Sequence, residues 1–174
     1  MMENDTAIII MASYKDLILA VRARSRLTLL LKAVDAVAVL ITVAAYIAAL
    51  INEFISSYES AIRLALVCGI PFICVSIVRR LINAPRPYEL YDIFDTPPKK
   101  RSGQSFPSRH AFSVFSIGTA LAFLYPIAAT VLLVLGAMLS VSRVLLGKHF
   151  VRDVVAGALV GAVTSVIGML ILLY

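Results

Sequence analysis

Apolar runs of the length a membrane crossing requires fill most of this chain, and nothing else in the sequence constrains its fold as tightly. A helix needs about 20 residues to traverse the hydrocarbon core. Ala33–Ile51, Ala61–Val78, Ile127–Leu146 and Val154–Tyr174 meet that need, and Ser108–Tyr125 meets it once its polar start is included. Composition agrees: 61% of residues are hydrophobic and 15% charged, where a soluble domain carries about 25% charged residues. A water-soluble single-core protein is therefore excluded. The expectation is an all-α, polytopic transmembrane bundle of five spans, forming one domain over 1–174.

Details within the runs refine this reading. Arg63 lies near one end of its span, where it can snorkel, and Pro71 in the middle predicts a kink. Tyr125-Pro126 leaves so little connecting chain that the spans on either side must be antiparallel neighbours. Gly157-x3-Gly161 offers a small-residue face for close helix contact. Ala7–Val21 is apolar but interrupted by Lys15-Asp16 and followed by Arg22, Arg24 and Arg26. That pattern fits an amphipathic interfacial helix within 1–28, with a sixth span as the alternative. Cys68 and Cys74 are about 9 Å apart on a helix, beyond disulfide reach, and are expected to be buried and reduced. Met1-Met2-Glu3-Asn4-Asp5 lacks the basic region and cleavage site of a signal peptide, so the chain is read as unprocessed.

Five alternating spans put the N-terminal segment, the 79–107 loop and the junction after the fourth span on one face. All of the 16 Lys and Arg residues except Arg63 fall on that side. In a soluble protein the net charge of +6 would suggest nucleic acid; here it indicates a basic membrane face or an anionic substrate, and no nucleic-acid partner is expected. Arg79-Arg80 and Lys99-Lys100-Arg101, taken alone, are ordinary topology and lipid-binding signals.

Three polar clusters converge on the same face: Arg79-x6-Arg86-Pro87, Pro107-Ser108-Arg109-His110, and Ser142-Arg143-x5-His149-x3-Asp153. Together they hold both histidines of the chain. Arginine forks stay charged and match phosphate oxygens, so several of them describe a phosphate clamp. Ser108 adds a hydroxyl, and the start of the third span adds a helix N-terminus. If His149 and Asp153 are both helical, the carboxylate can hold one ring nitrogen and leave the other free to attack phosphorus. His110 can protonate the leaving oxygen and then activate water. Such a set performs phosphoryl transfer through a phosphohistidine.

The clusters resemble the signature of the type 2 phosphatidic acid phosphatase superfamily: Lys-x6-Arg-Pro, Pro-Ser-Gly-His and Ser-Arg-x5-His-x3-Asp. All three occur here in order with internal spacings kept. The resemblance implies an integral membrane phosphatase without a cofactor or metal. In it, His149 would be nucleophile, Asp153 its orienter and His110 the acid, while Arg79, Arg86, Ser108 and Arg143 would bind phosphate. Two positions depart. Arg79 replaces the usual Lys, and Arg109 stands where Gly is usual; there it can add a phosphate contact, crowd the pocket or point to the headgroups.

A zinc site is disfavoured, because two sequence-distant histidines lack Cys or Glu companions and the arginines would repel a cation. A small transporter would also place charges such as Asp35 and Arg63 between helices, although interfacial or packing roles suit those two better. A vanadium-dependent haloperoxidase would use similar ligands, but such enzymes are water-soluble. The expected partners are membrane lipids and a lipid phosphate or polyprenyl pyrophosphate, with phosphatidic acid and phosphatidylglycerol phosphate as further candidates. The sequence carries no marker of oligomeric state. Charge bias puts the site at the cytoplasmic surface, whereas the resemblance implies the extracytoplasmic one, which is the expectation adopted.

Overall fold

The structure, a computed structural model, describes residues 14–91 and 103–173. Every regular element among them is helical. Residues 14–23 form α1. It is followed by α2 (Ser25–Ser56), α3 (Tyr58–Ile82), α4 (Pro87–Leu90), α5 (Arg109–Ala122), α6 (Pro126–Leu145) and α7 (Val151–Leu173). Lys99, Lys100, Arg101 and the beginning of the Ala7–Val21 stretch lie outside the described residues.

Four helices, α2, α3, α6 and α7, are long and apolar enough to cross a membrane. Their outward faces carry exposed large aliphatic side chains such as Leu40, Ile73, Ile127 and Ile171, as a lipid-facing surface requires. The third expected span differs. α5 has only 14 residues, about 21 Å of helix against a hydrocarbon core of about 30 Å. Phe123 and Leu124 already belong to the turn before Pro126, and Ser108 precedes the first helical residue. Its position explains the short length: eight of its 14 residues are buried, and it packs against α2, α3, α6 and α7. Surrounded by protein, it can begin from a polar pocket instead of from the membrane surface.

Apolar side chains gain little from association inside lipid, so close packing and interhelical hydrogen bonds hold such bundles together. The α5–α7 contact uses both. A Cβ on Gly157 would stand 2.4 Å from the Ser108 carbonyl oxygen, and one on Gly161 2.5 Å from that of Phe112. The small-residue face expected at these two positions is thus where the backbones meet. Ser116 and Ser165 add a buried hydroxyl pair at 2.8 Å. Pro71 sits inside the continuous α3. Both cysteines are free, but only Cys68 is buried. Cys74 was expected to be buried as well; it is exposed, because six residues turn a helix by about 240° beyond one full revolution and carry it to another face.

The helices alternate in direction, so the beginning of α2, the end of α3, the beginning of α5, the end of α6 and the beginning of α7 share one end of the bundle. At the other end Tyr125 accepts a hydrogen bond from Asn52 Nδ2 at 2.7 Å and donates one to Glu53.

Candidate active site

The residues at the first end come from all three sequence clusters. His149 lies on the turn between α6 and α7, which Gly147 makes possible with φ of +69°. That turn is closed by the Arg143 carbonyl, which accepts from the N–H groups of Lys148 and His149 at 3.0 and 3.3 Å. His149 is therefore not helical, contrary to the simplest form of the i, i+4 expectation, yet its Nδ1 still comes within 3.5 Å of Asp153 Oδ2. Both side chains are almost fully buried. Burial, reinforced by Arg86 and Arg143, pushes the His149 imidazole below the ordinary histidine pKa.

Ser105, which sequence reasoning did not single out, completes this pair. It is fully buried, its hydroxyl donates to Asp153 Oδ2, and its Oγ lies 3.4 Å from His149 Nδ1. Asp153 Oδ2 also accepts the Phe150 backbone N–H at 3.0 Å. The carboxylate is thus fixed from two sides before it acts on the imidazole.

Arg79 is buried at the end of α3 and donates through Nη1 to the Pro107 carbonyl at 2.8 Å; its Nε has no hydrogen-bond partner among the described residues. Arg86 donates through Nε to the Gly103 carbonyl at 3.0 Å. Around it, Glu89 accepts from the backbone N–H groups of Arg86 and Gly103 at 3.0 and 2.7 Å, tying α4 to the loop before α5. Gly103 has φ of +67°, and a Cβ there would overlap the Asn83 side chain.

Ser108 occupies the N-cap of α5, but among the described residues its fully buried hydroxyl makes no capping hydrogen bond and has no other hydrogen-bond partner. Its backbone N–H donates to the Asp153 carbonyl at 2.9 Å, locking the start of α5 to the start of α7. A helix-starting role alone leaves that oxygen without a purpose. His110 follows on the first turn, half-buried, with Arg143, Asp35, His149 and Arg109 all acting on it electrostatically. Arg109 itself is exposed at the rim, its guanidinium carbon 6.0 Å from the centre of the Phe72 ring.

Arg143 is buried and held by a residue assigned from sequence to interfacial or packing duty. Asp35 of α2 accepts from its Nε at 2.7 Å and Nη2 at 3.1 Å, and from Lys148 Nζ at 2.8 Å. Arg63, the other residue of that assignment, lies at the opposite end of the bundle. Tyr14 of α1 is a second contributor the sequence did not reveal. Its hydroxyl lies 3.1 Å from the Val144 carbonyl and 3.0 Å from that of His149, while its ring packs on Phe150 and Tyr91.

Below the polar cluster, an apolar cavity of about 370 Å³ lies between α2, α3 and α5. Val39, Val43, Tyr46, Phe72 and Ile117 line it, and His110 contributes to its wall. Among the described residues no three His, Cys, Asp or Glu side chains are grouped as metal ligands.

A family model described as the PAP2 superfamily matches residues 60–174. A lipid A 1-phosphatase of Rhizobium johnstonii is 31% identical over 91 residues, a region that is 50% of this chain and 37% of the relative. The match thus spans little more than a third of that protein. Among solved structures, Aquifex aeolicus LpxE superposes with a TM-score of 0.64 at 24% identity, covering 82% of this chain and 85% of that one. A transmembrane PAP2-type phosphatidylglycerolphosphate phosphatase from Bacillus subtilis gives 0.57 at 19% identity, with 94% of each chain covered.

Proposed function

The chain belongs to the PAP2 superfamily, and from that membership we propose that it is an integral membrane hydrolase that removes a phosphate group from a lipid. One observation carries the reading: His110 belongs both to the polar cluster and to the wall of the apolar cavity. A phosphorylated lipid satisfies both surroundings at once, its head among the arginines and its hydrocarbon in the cavity.

In this mechanism Arg79, Arg86 and Arg143 hold the phosphoryl oxygens with the Ser108 hydroxyl, which has no hydrogen-bond partner among the described residues and so suits a ligand. The N-terminus of α5 favours the same anion. Asp153, steadied by Ser105 and the Phe150 N–H, keeps Nδ1 of His149 toward itself, so Nε2 attacks phosphorus. The phosphorus–oxygen bond to the lipid breaks, and His110 gives its proton to the departing oxygen. Water, deprotonated by His110, then attacks the phosphohistidine, releasing inorganic phosphate and restoring both imidazoles.

The relatives' names suggest head groups to test: the 1-phosphate of lipid A and phosphatidylglycerol phosphate, beside phosphatidic acid and a polyprenyl pyrophosphate. The proposed topology has five crossings, α5 being the recessed central one, with α1 lying at the interface where Ile18 and Val21 are buried and Leu17 and Leu19 exposed. The proposed active face is extracytoplasmic. A lone cysteine at Lys100, in a Cys68→Ser, Cys74→Ser background, should then react with an impermeant thiol reagent in intact cells; labelling only after permeabilisation would reverse the orientation.

The function is tested by phosphate release from the four lipids by purified protein. At least one should be hydrolysed, and His149→Ala should abolish turnover and leave no trappable phosphoenzyme. Near-normal activity of that variant would end the phosphohistidine mechanism.

A further inference from the structure

We propose that Asp35 is a positioning residue for the reaction, clamping the turn that carries His149 by holding both of that turn's cationic ends. The inference rests on the phosphatase reading above. It begins from where Asp35 lies: on α2, before the 60–174 region that matches the family model, and far in sequence from every cluster of the family pattern.

Arg143 and Lys148 bracket the turn from α6 to His149. Asp35 takes two donors of the Arg143 fork, at 2.7 and 3.1 Å, and the Lys148 ammonium at 2.8 Å. Between those two anchors the backbone closes on itself, with Gly147 N–H donating to the Val144 carbonyl at 2.9 Å and Lys148 N–H to that of Arg143 at 3.0 Å. His149 is the next residue. A shift of either anchor therefore moves the imidazole relative to Asp153 and Ser105, which are fixed by α7 and the loop before α5.

Packing alone does not account for a carboxylate here. Asp35 is 8% exposed on a helix whose other buried residues are Ala38, Thr42 and Ala49, and next to it Ala38 and Val39 already pack α2 on Leu135 and Leu139 of α6 without any charge. Buried ion pairs contribute little net stability compared with apolar residues of similar volume. A carboxylate beside a phosphate site also opposes binding of the substrate anion. Its effect in favour of the reaction must come through geometry: it orients the Arg143 fork and fixes the approach of His149.

The test is steady-state hydrolysis of the best lipid substrate by detergent-solubilised protein, with thermal unfolding measured in parallel. Asp35→Asn keeps the shape and removes the charge, and kcat should fall about tenfold to hundredfold, as expected for an ångström-scale misplacement, while KM changes by less than about threefold. Asp35→Glu should recover part of that loss. Lys148→Met, at a more exposed position, should retain the wild-type unfolding temperature yet lower kcat at constant KM, and it carries the test if Asp35→Asn does not accumulate. In an Arg143→Gln background the Asp35→Asn penalty should shrink to near unity. An equal penalty in both backgrounds, wild-type kcat in Asp35→Asn or Lys148→Met, or a change confined to KM would overturn the proposal. Wild-type protein that releases phosphate from none of the lipids would instead end the phosphatase reading itself.

Discussion

Adding one methyl group at Gly157 should disable the enzyme although every polar residue of the site is retained. The new Cβ would stand 2.4 Å from the Ser108 carbonyl oxygen and 3.2 Å from the Phe112 nitrogen. Ordinary contact begins near 3.4 Å, so α5 and α7 must separate by about 1 Å where they cross, a displacement whose overpacking costs about 1–3 kcal/mol. Backbone atoms are the obstacle, and no rotamer change can absorb it. The same crossing carries the Ser108 N–H to Asp153 carbonyl bond of 2.9 Å, and it sets the distance from Ser108 and His110 to His149. A misplacement of about 1 Å costs about a hundredfold in rate, so kcat in Gly157→Ala should fall by about that factor, with a lower unfolding temperature. Gly118→Ala is the control, since its Cβ would meet side-chain atoms and no backbone, the nearest being Leu133 Cδ2 at 3.1 Å and Cγ at 3.2 Å. The measurements are phosphate release and thermal unfolding in detergent. Wild-type turnover in Gly157→Ala would refute the claim that close α5–α7 approach builds the site; equal losses in both variants would refute the specific role of this crossing.

Tyr14→Phe removes two contacts to the carbonyls of Val144 and His149 but preserves the ring that packs on Phe150. The one hydroxyl proton is shared between those two acceptors, and loss of such a hydrogen bond is worth about 0.5–1.5 kcal/mol, so kcat should drop several-fold with little change in unfolding temperature; an unchanged rate would assign Tyr14 to packing alone. Arg109→Gly restores the family residue at the rim: if this guanidinium reads a second phosphate, the substitution should cost about 1.5–3 kcal/mol with pyrophosphate heads and much less with monophosphates. Equal effects on both head types would exclude that reading. Hydrolysis should survive excess EDTA and stop with vanadate, which presents the charge and shape of a phosphoryl group to the arginines. Activity that vanishes on chelation and returns with magnesium would contradict a clamp made of side chains.

The parts of the site that were legible from sequence are those whose geometry is local or set by the topology of the spans. His149 and Asp153 are close because four residues separate them, and Arg79, Ser108 and Arg143 share one end of the bundle because the helices that carry them alternate in direction. Helix limits were less legible, for a physical reason. Hydropathy senses only the hydrocarbon-facing portion of a helix, so the run beginning at Ala33 gave no sign that α2 extends back to Ser25 through Arg26 and Lys32. In α5 the reverse holds: burial among four helices relieves it of the need to span the bilayer, and it stops at Ala122.

Ser105 and Tyr14 were hidden because nothing local marks them. A serine in a loop rich in Pro and charge is indistinguishable from its neighbours until the fold directs it at Asp153, and a tyrosine on an amphipathic segment reads as an interfacial anchor. Asp35 is the instructive case, because a signal did exist. A carboxylate and a guanidinium placed in apolar helices each demand a partner, and Asp35 and Arg143 both belong to span ends on the same face. Arg63, nearer to Asp35 in sequence than Arg143 is, lies near the start of the following helix and so at the opposite end of the bundle, out of reach. Applying alternation to the charges as well as to the spans leaves only the basic residues of the active face to neutralise Asp35. The pair joining α2 to the end of α6 follows from that constraint, and with it the route by which the N-terminal helix reaches the turn that holds His149.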